Sequence, residues 1–232
     1  MANSIKWLGH AACQITTEKG AVILIDPWIT GNPSCPVNKE DIKKADIILI
    51  THDHFDHLGE DVPDLVKATG ATVIAQPEMV DTLQKLGVCA DNIIFGMGMN
   101  IGGEVEVAGV KIIMTQAFHS SGTGSPTGYI IILEDGKSVY HAGDTGIFDS
   151  MRNFGELYEL DLALIPIGSV FTMGPLQAAA SLNLIRPKKA IPIHYQTFPI
   201  LVQDPGEFIE LAGKKAPEVQ IEAIKPGQEI TI

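Results

Sequence analysis

Short apolar runs that end abruptly at a polar residue recur along this chain. Residues 21–25 are apolar throughout and stop at Asp26-Pro27. Residues 47–50 lead into Thr51-His52, and residues 162–165 lead into a loop over 166–174. Runs this short read as buried strands rather than helices. Residues 5–8 give another strand, broken by Gly9-His10-Ala11, and 13–17 resume with alternation. A turn at Lys19-Gly20 joins that segment to 21–25, so the first three runs predict an antiparallel meander with one buried sheet face.

Helical spacing enters at 60–69, where Val62, Leu65 and Val66 share a face and Gly70 supplies the stop. A second helix is predicted over 77–86, opened by Pro77 and followed by Gly87. Between them 72–75 reads as a strand, and 39–45 predicts a short helix before the strand 46–50. From Glu104 the period returns to two. Val105, Val107, Val110, Ile112 and Met114 form two strands joined near Ala108-Gly109. Residues 129–133 and 138–141 pair across a turn at Asp135-Gly136. Strands at 161–166 and 189–193 flank a helix at 175–185, and a helix at 205–214 precedes closing strands at 219–222 and 228–232. Strand and helix alternate, which predicts an α/β layered architecture. No Pro-rich or Gly/Ser-rich linker divides the chain, so residues 1–232 are expected to form a single domain.

Composition narrows the function. Acidic residues number 28 against 16 basic ones, a net charge of −12. That balance favours solubility and disfavours the phosphate backbone of nucleic acids. Apolar residues make up 45% and aromatic residues 6%, so the core is aliphatic. The three cysteines are odd in number and lack Cys-x-x-Cys spacing, which points to a reducing compartment. The first residues carry no basic segment followed by an apolar one, and no apolar run approaches the ~18 residues of a membrane span. A cytoplasmic protein acting on a small molecule is expected, with a homo-oligomer left open.

The chemistry concentrates in His52-Asp53-His54-Phe55-Asp56-His57. Three of the chain's seven histidines fall within these six residues, on the loop that ends a buried strand. Imidazole and carboxylate donors together suit zinc, iron, manganese or nickel and do not suit calcium. A loop can aim several neighbouring side chains at one point, whereas a helix aims only residues three or four apart. Further metal-capable residues follow other strands: His119, Asp144 in Gly143-Asp144-Thr145, and His194.

His52-x-His54-x-Asp56-His57, followed by His119, Gly143-Asp144 and His194, resembles the metal-binding pattern of the metallo-β-lactamase-fold hydrolases. The resemblance extends over most of the chain and is closest to a group of small metal-dependent hydrolases, through Phe118-His119-Ser120-Ser121-Gly122, Phe171-Thr172-Met173-Gly174-Pro175 and His194-Tyr195-Gln196-Thr197-Phe198-Pro199. It implies a four-layered αβ/βα sandwich. It also implies that His52, His54 and His119 hold one divalent ion, that Asp56, His57 and His194 hold a second, and that Asp144 bridges the two. Zinc leads, with manganese, iron and nickel as alternatives. Two such ions generate a nucleophile from shared water near neutral pH, and Asp56 can hydrogen-bond it. The expected reaction is hydrolysis of a small ester, lactone or phosphodiester. A nuclease of the same superfamily and an inactive metal-binding protein are the alternatives.

Three further residues enter through neighbouring motifs. Trp7-Leu8-Gly9-His10-Ala11 resembles the opening of the subgroup that contains ascorbate-phosphate lactonases, which puts His10 beside the site. His141 is a candidate to orient a ligand from behind. Tyr195 is a candidate donor to the developing oxyanion. Two departures from the group bear on substrate choice. Gln177 stands where an acidic residue is usual, and Ser169-Val170 stand where Asp or Asn is frequent.

One prediction rests on charge alone. Non-specific nucleic-acid binding draws on Lys and Arg that release counterions. At physiological salt the protein is expected to show no retention of generic tRNA in a filter assay, and submicromolar binding would revive the nuclease.

Overall fold

A computed structural model describes residues 2–232 of the chain. Two mixed sheets lie face to face with helices on the outside. The first sheet contains β1 (Ser4–Gly9), β2 (Ala12–Thr16), β3 (Val22–Ile25), β4 (Ile47–Leu49) and β5 (Thr72–Ile74) in sequence order, with β13 (Glu229–Thr231) on the β1 edge. The second sheet has the order β12-β11-β10-β9-β8-β7-β6, from Gln220–Ile221, Lys189–Ile193, Leu162–Pro166, Ser138–His141, Thr127–Ile132, Val110–Gln116 and Glu104–Val107. Helices α1 (Val62–Thr69) and α2 (Val80–Leu86) belong to the first half. Helices α3 (Met151–Leu157), α4 (Pro175–Ile185) and α5 (Gly206–Lys215) belong to the second. This is the α/β sandwich expected.

The apolar runs explain the layering. In β3 and β4, Ile23, Ile25, Ile47 and Leu49 join the core between the sheets, while Leu24, Ile48 and Ile50 join a separate core with Val62, Leu65 and Leu83. Successive side chains point to opposite faces. A strand covered by a sheet on one side and helices on the other must therefore be apolar at every position. The meander β1-β2-β3 is antiparallel as expected, but β3 is buried on both faces, not one.

Two expectations change. Residues 39–45 form only a 3-10 turn at Lys39–Asp41. Beyond it Ile42 is extended, because the chain must reach β4, where Asp46 accepts from the Val22 backbone N–H at 2.8 Å. Helix α3 was not anticipated, because Gly155 sits in its middle. That glycine is a packing requirement. A Cβ there would meet the Ile185 carbonyl oxygen at 2.6 Å, so only glycine lets α3 approach the end of α4.

All strands that lead toward the metal-capable residues run the same way. β3, β4 and β5 are mutually parallel, as are β9, β10 and β11. β7 is antiparallel to β8, and β8 to β9, so β7 runs with β9. Their C-terminal ends form one rim. The sheets are bonded to each other there. Tyr129 in β8 donates its hydroxyl across the core to the Ile50 carbonyl at 2.7 Å, and the Thr127 backbone N–H reaches the Thr51 carbonyl at 3.0 Å. Tyr129→Phe removes a fully buried donor and leaves the Ile50 carbonyl short of a partner, so it is expected to cost about 1–3 kcal/mol. Urea unfolding of the two proteins measures this, and an unchanged midpoint would show that the tether contributes nothing.

Candidate metal centre

Each candidate ligand stands just beyond a strand on that shared rim. His52, His54, Asp56 and His57 follow β4, His119 follows β7, Asp144 follows β9 and His194 follows β11. The backbone is bent to deliver them. His10, Asp26 and His194 have φ of 54°, 45° and 57°, in the left-handed region that L-residues avoid. Such strain concentrates where side-chain placement matters more than local comfort. Gly168 supports the His194 bend, since a Cβ there would collide with the His194 carbonyl.

The structure brings all seven together. His52 Nε2 lies 3.0 Å from His54 Nδ1, which lies 3.3 Å from His119 Nε2. Asp56, His57 and His194 gather with His10 in a second group whose donor atoms lie within 4.8 Å of one another. Asp144 Oδ2 sits between the groups, 3.5 Å from His119 Nε2, 3.3 Å from His57 Nε2 and 3.0 Å from His194 Nε2.

Neighbours set the imidazole tautomers. Asp26 is fully buried and accepts three hydrogen bonds: Thr51 N–H at 2.8 Å, Thr51 hydroxyl at 2.6 Å and His57 Nδ1–H at 2.8 Å. With its proton on Asp26, the Thr51 hydroxyl accepts from His52 Nδ1–H at 3.0 Å. Both histidines then present a bare Nε2 to the centre. A carboxylate behind a ligand histidine is the usual way to hold its ring and raise its basicity. Asp26 was missed from sequence. Its signal was the apolar run 21–25 ending in Asp-Pro, the same strand-then-polar pattern that marks His52.

Charge supports the assignment of this cluster to metal. Asp26 and Asp144 are buried and Asp56 is nearly so, yet no Lys or Arg lines the cavity above them. Buried carboxylates need compensation. Burial works against ionisation of Asp144, but the His194 and His57 rings overcome it and hold its pKa well below the usual carboxylate range. Burial likewise opposes a charge on His57, but Asp144 and Asp26 on either side push its pKa well above an ordinary imidazole. His57 Nε2, Asp144 Oδ1 and both His194 nitrogens are buried without a hydrogen-bond partner. Two donors ~2.0–2.1 Å from one tetrahedral ion stand about 3.3 Å apart. The observed separations of 3.0 and 3.3 Å in the first trio fit such an ion.

The remaining candidates separate clearly. His10 is buried and its Nε2 lies 3.1 Å from Asp56 Oδ2, with Thr197 Oγ1 3.0 Å from Nδ1. Burial lowers its pKa to about 4, so the ring is neutral. It donates through Nε2–H to Asp56 and accepts from Thr197. His141 touches no metal-capable side chain. Its Nε2–H donates to the Ala11 carbonyl at 3.0 Å and its Nδ1 accepts from Gly143 N–H at 3.1 Å, so it supports the turn before Asp144. Tyr195 stacks on Trp7 at 5.2 Å and does not line the cavity. Asp53 faces away from the cluster and fastens the loop after His119, accepting from Ser121 hydroxyl, Gly122 N–H and Thr123 hydroxyl at 2.7–2.9 Å.

Above the centre lies a cavity of about 540 Å³. Its floor includes His54, Asp56, His119, Asp144 and His194, and its walls are Phe55, Phe171, Phe198 and Ile200. Phe171 is held at the mouth by a tight turn. Its N–H bonds to the Ser169 carbonyl, with Val170 at φ 51°, an unfavourable conformation for a β-branched residue.

Two sheets with a His/Asp cluster on their common rim define a metal-dependent hydrolase of the metallo-β-lactamase type. The family described as β-lactamase superfamily domain matches residues 22–195. A protein of Nitratidesulfovibrio vulgaris named UPF0173 metal-dependent hydrolase is 44% identical over 232 residues, covering 100% of this chain and 96% of its own length. One from Korarchaeum cryptofilum with the same name is 46% identical over 97% of each chain. The structure of Igni18, a metallo hydrolase of Ignicoccus hospitalis, superposes with a TM-score of 0.89 at 38% identity, covering 100% of this chain and 99% of that one. The chain belongs to the metallo-β-lactamase superfamily and is one of its metal-dependent hydrolases.

The Asp26 network makes a testable demand. Asp26→Asn converts the oxygen that accepts from His57 and Thr51 into a donor, or forces the amide to turn away. Metal affinity is expected to fall about 10–100-fold with the fold retained. Competitive titration against a metal indicator, beside circular dichroism, checks this. Unchanged affinity would mean that His57 needs no carboxylate behind it.

Proposed function

We propose that the protein is a dinuclear hydrolase that cleaves a small ester, lactone or phosphodiester with an activated water. His52, His54 and His119 would hold one divalent ion, Asp56, His57 and His194 the other, and Asp144 would serve both. Zinc is the first choice, with manganese, iron or nickel able to use the same donors. The observation that carries the reading is the position of Asp144 Oδ2, within 3.0–3.5 Å of imidazoles from both groups. When bound, two such ions lower the pKa of a shared water toward ~7 and polarise the bond under attack.

The protein's own groups do the rest. Asp26 and Thr51 keep His57 and His52 in the tautomers that expose Nε2. His10 bonds to Asp56 Oδ2 and so fixes the carboxylate that would hold the second ion.

About two metal equivalents per chain are expected by elemental analysis. Asp144→Ala leaves two cations facing each other without the carboxylate that offsets their repulsion. It is expected to lose metal and turnover together while circular dichroism stays unchanged, because the sheet core is apolar. A fully reconstituted protein that never exceeds one equivalent, or an Asp144→Ala variant with two metals and normal turnover of p-nitrophenyl esters and bis-p-nitrophenyl phosphate, would refute the dinuclear reading.

A further inference from the structure

Resting on that hydrolytic reading, we infer that the substrate is an uncharged ester or lactone with an apolar acyl part, seated against Phe55, Phe171, Phe198 and Ile200. Three independent observations point there.

The first is the missing cation. The loops that build the site, residues 50–61, 116–126, 141–151, 166–174 and 194–206, contain no Lys and no Arg among them. All 16 basic residues lie elsewhere. Sites for phosphate or carboxylate groups are ordinarily made by guanidinium or ammonium groups or by a helix N-terminus, and none of these lines the cavity. Asp26, Asp56 and Asp144 offset three of the four positive charges that two divalent ions would bring. The residues around the cavity add none.

The second is the wall. Phe55, Phe171 and Ile200 are 68%, 54% and 60% exposed, an arrangement a soluble surface does not favour unless something apolar covers it. They belong to the cavity that has Asp56 and Asp144 at its floor, so whatever covers them also meets the reacting centre. Trp28 backs this wall, with ring centroids 5.6 Å from Phe55 and 5.9 Å from Phe198. A strained turn at Val170 keeps Phe171 beside the mouth.

The third is size. A cavity of about 540 Å³ exceeds what a two-carbon acyl group needs and suits a chain of several carbons or a ring. The reaction balances without a co-reactant. Water adds to the acyl carbon, the C–O bond breaks, the acyl part leaves as a carboxylic acid and the alkoxy oxygen takes the other proton. The product acid, ionised at neutral pH, finds no Lys or Arg in the cavity wall to retain it.

The test uses metal-loaded protein and p-nitrophenyl esters of one leaving group. From acetate to octanoate, kcat/KM is expected to rise about fourfold per added methylene, the gain typical of burying each one. An ester whose acyl chain ends in carboxylate is expected to fall at least tenfold below its methyl-ended counterpart of equal length. Ile200→Lys should narrow that gap from both sides, and Phe171→Ala should flatten the chain-length gradient through KM. A flat gradient in the parent protein, or a preference for the carboxylate-ended ester, overturns the inference. Calorimetric binding of the uncleaved amides from butanamide to octanamide reads the wall without catalysis. If no ester turns over but the amides tighten with length, the hydrolytic reading falls and the apolar subsite stands. If they do not tighten, the subsite falls as well.

Discussion

Three carboxylates are placed where two sheets meet, with imidazoles as their only close counter-groups. That is an expensive arrangement for a protein on its own. Asp26 and Asp144 are buried and Asp56 is nearly so. Burial lowers His52 to about 3 and His10 to about 4, which keeps those two rings neutral. His57 is pushed toward the charged form, by carboxylates on both sides. A cluster of this kind gains from additional positive charge at its centre. The strand directions, the bent backbone at three of its residues and the bonds between the sheets all serve to hold it together until that charge arrives.

The two-sheet architecture supplies this at a single rim. His10 belongs to the β1–β2 connection, and its carbonyl accepts both the His194 backbone N–H at 3.0 Å and the Trp7 indole N–H at 2.9 Å. One residue thus links the first sheet to the last ligand, while its ring grips Asp56. The Asp26–Thr51–His52 and Asp26–His57 bonds link adjacent strands of the first sheet in the same way. Candidate ligands drawn from both sheets are held relative to one another by short polar bonds. Precise placement of reacting groups depends on such support.

Much of this was legible in the chain. The apolar runs that end in His or Asp located the strands and their functional ends together, because a fully covered strand has to be apolar and the rim is where polarity returns. His52, His54, Asp56, His57, His119, Asp144 and His194 all converge in space. What stayed hidden depends on three-dimensional partners. Asp26 reads as a strand terminus until His57 is seen beside it. Gly155 reads as a helix breaker until the end of α4 is seen pressing against it. The role of His141 turns on bonds to Ala11 and Gly143 that no spacing foretells. Tyr195, next to a candidate ligand in sequence, turns its ring to Trp7 beyond the left-handed bend at His194, which spacing alone does not foretell.

The site therefore divides into a floor and a wall with different constraints. The floor is over-determined. Each ligand histidine with a partner behind it has only one useful tautomer, and the glycines at 143 and 168 admit no side chain without collision with neighbouring backbone. The wall is not. Phe55, Phe171 and Ile200 project from loops, largely exposed, and bond to nothing through their side chains. Of the three residues that depart from the pattern the sequence resembles, Ser169 and Val170 lie in the wall loop, and both have positive φ of 63° and 51°. Asn and Asp adopt that conformation more easily than Ser or Val. The chain thus accepts local strain beside Phe171, where side chains would decide which substrate is held, and the residues proposed to bind metal keep their network intact.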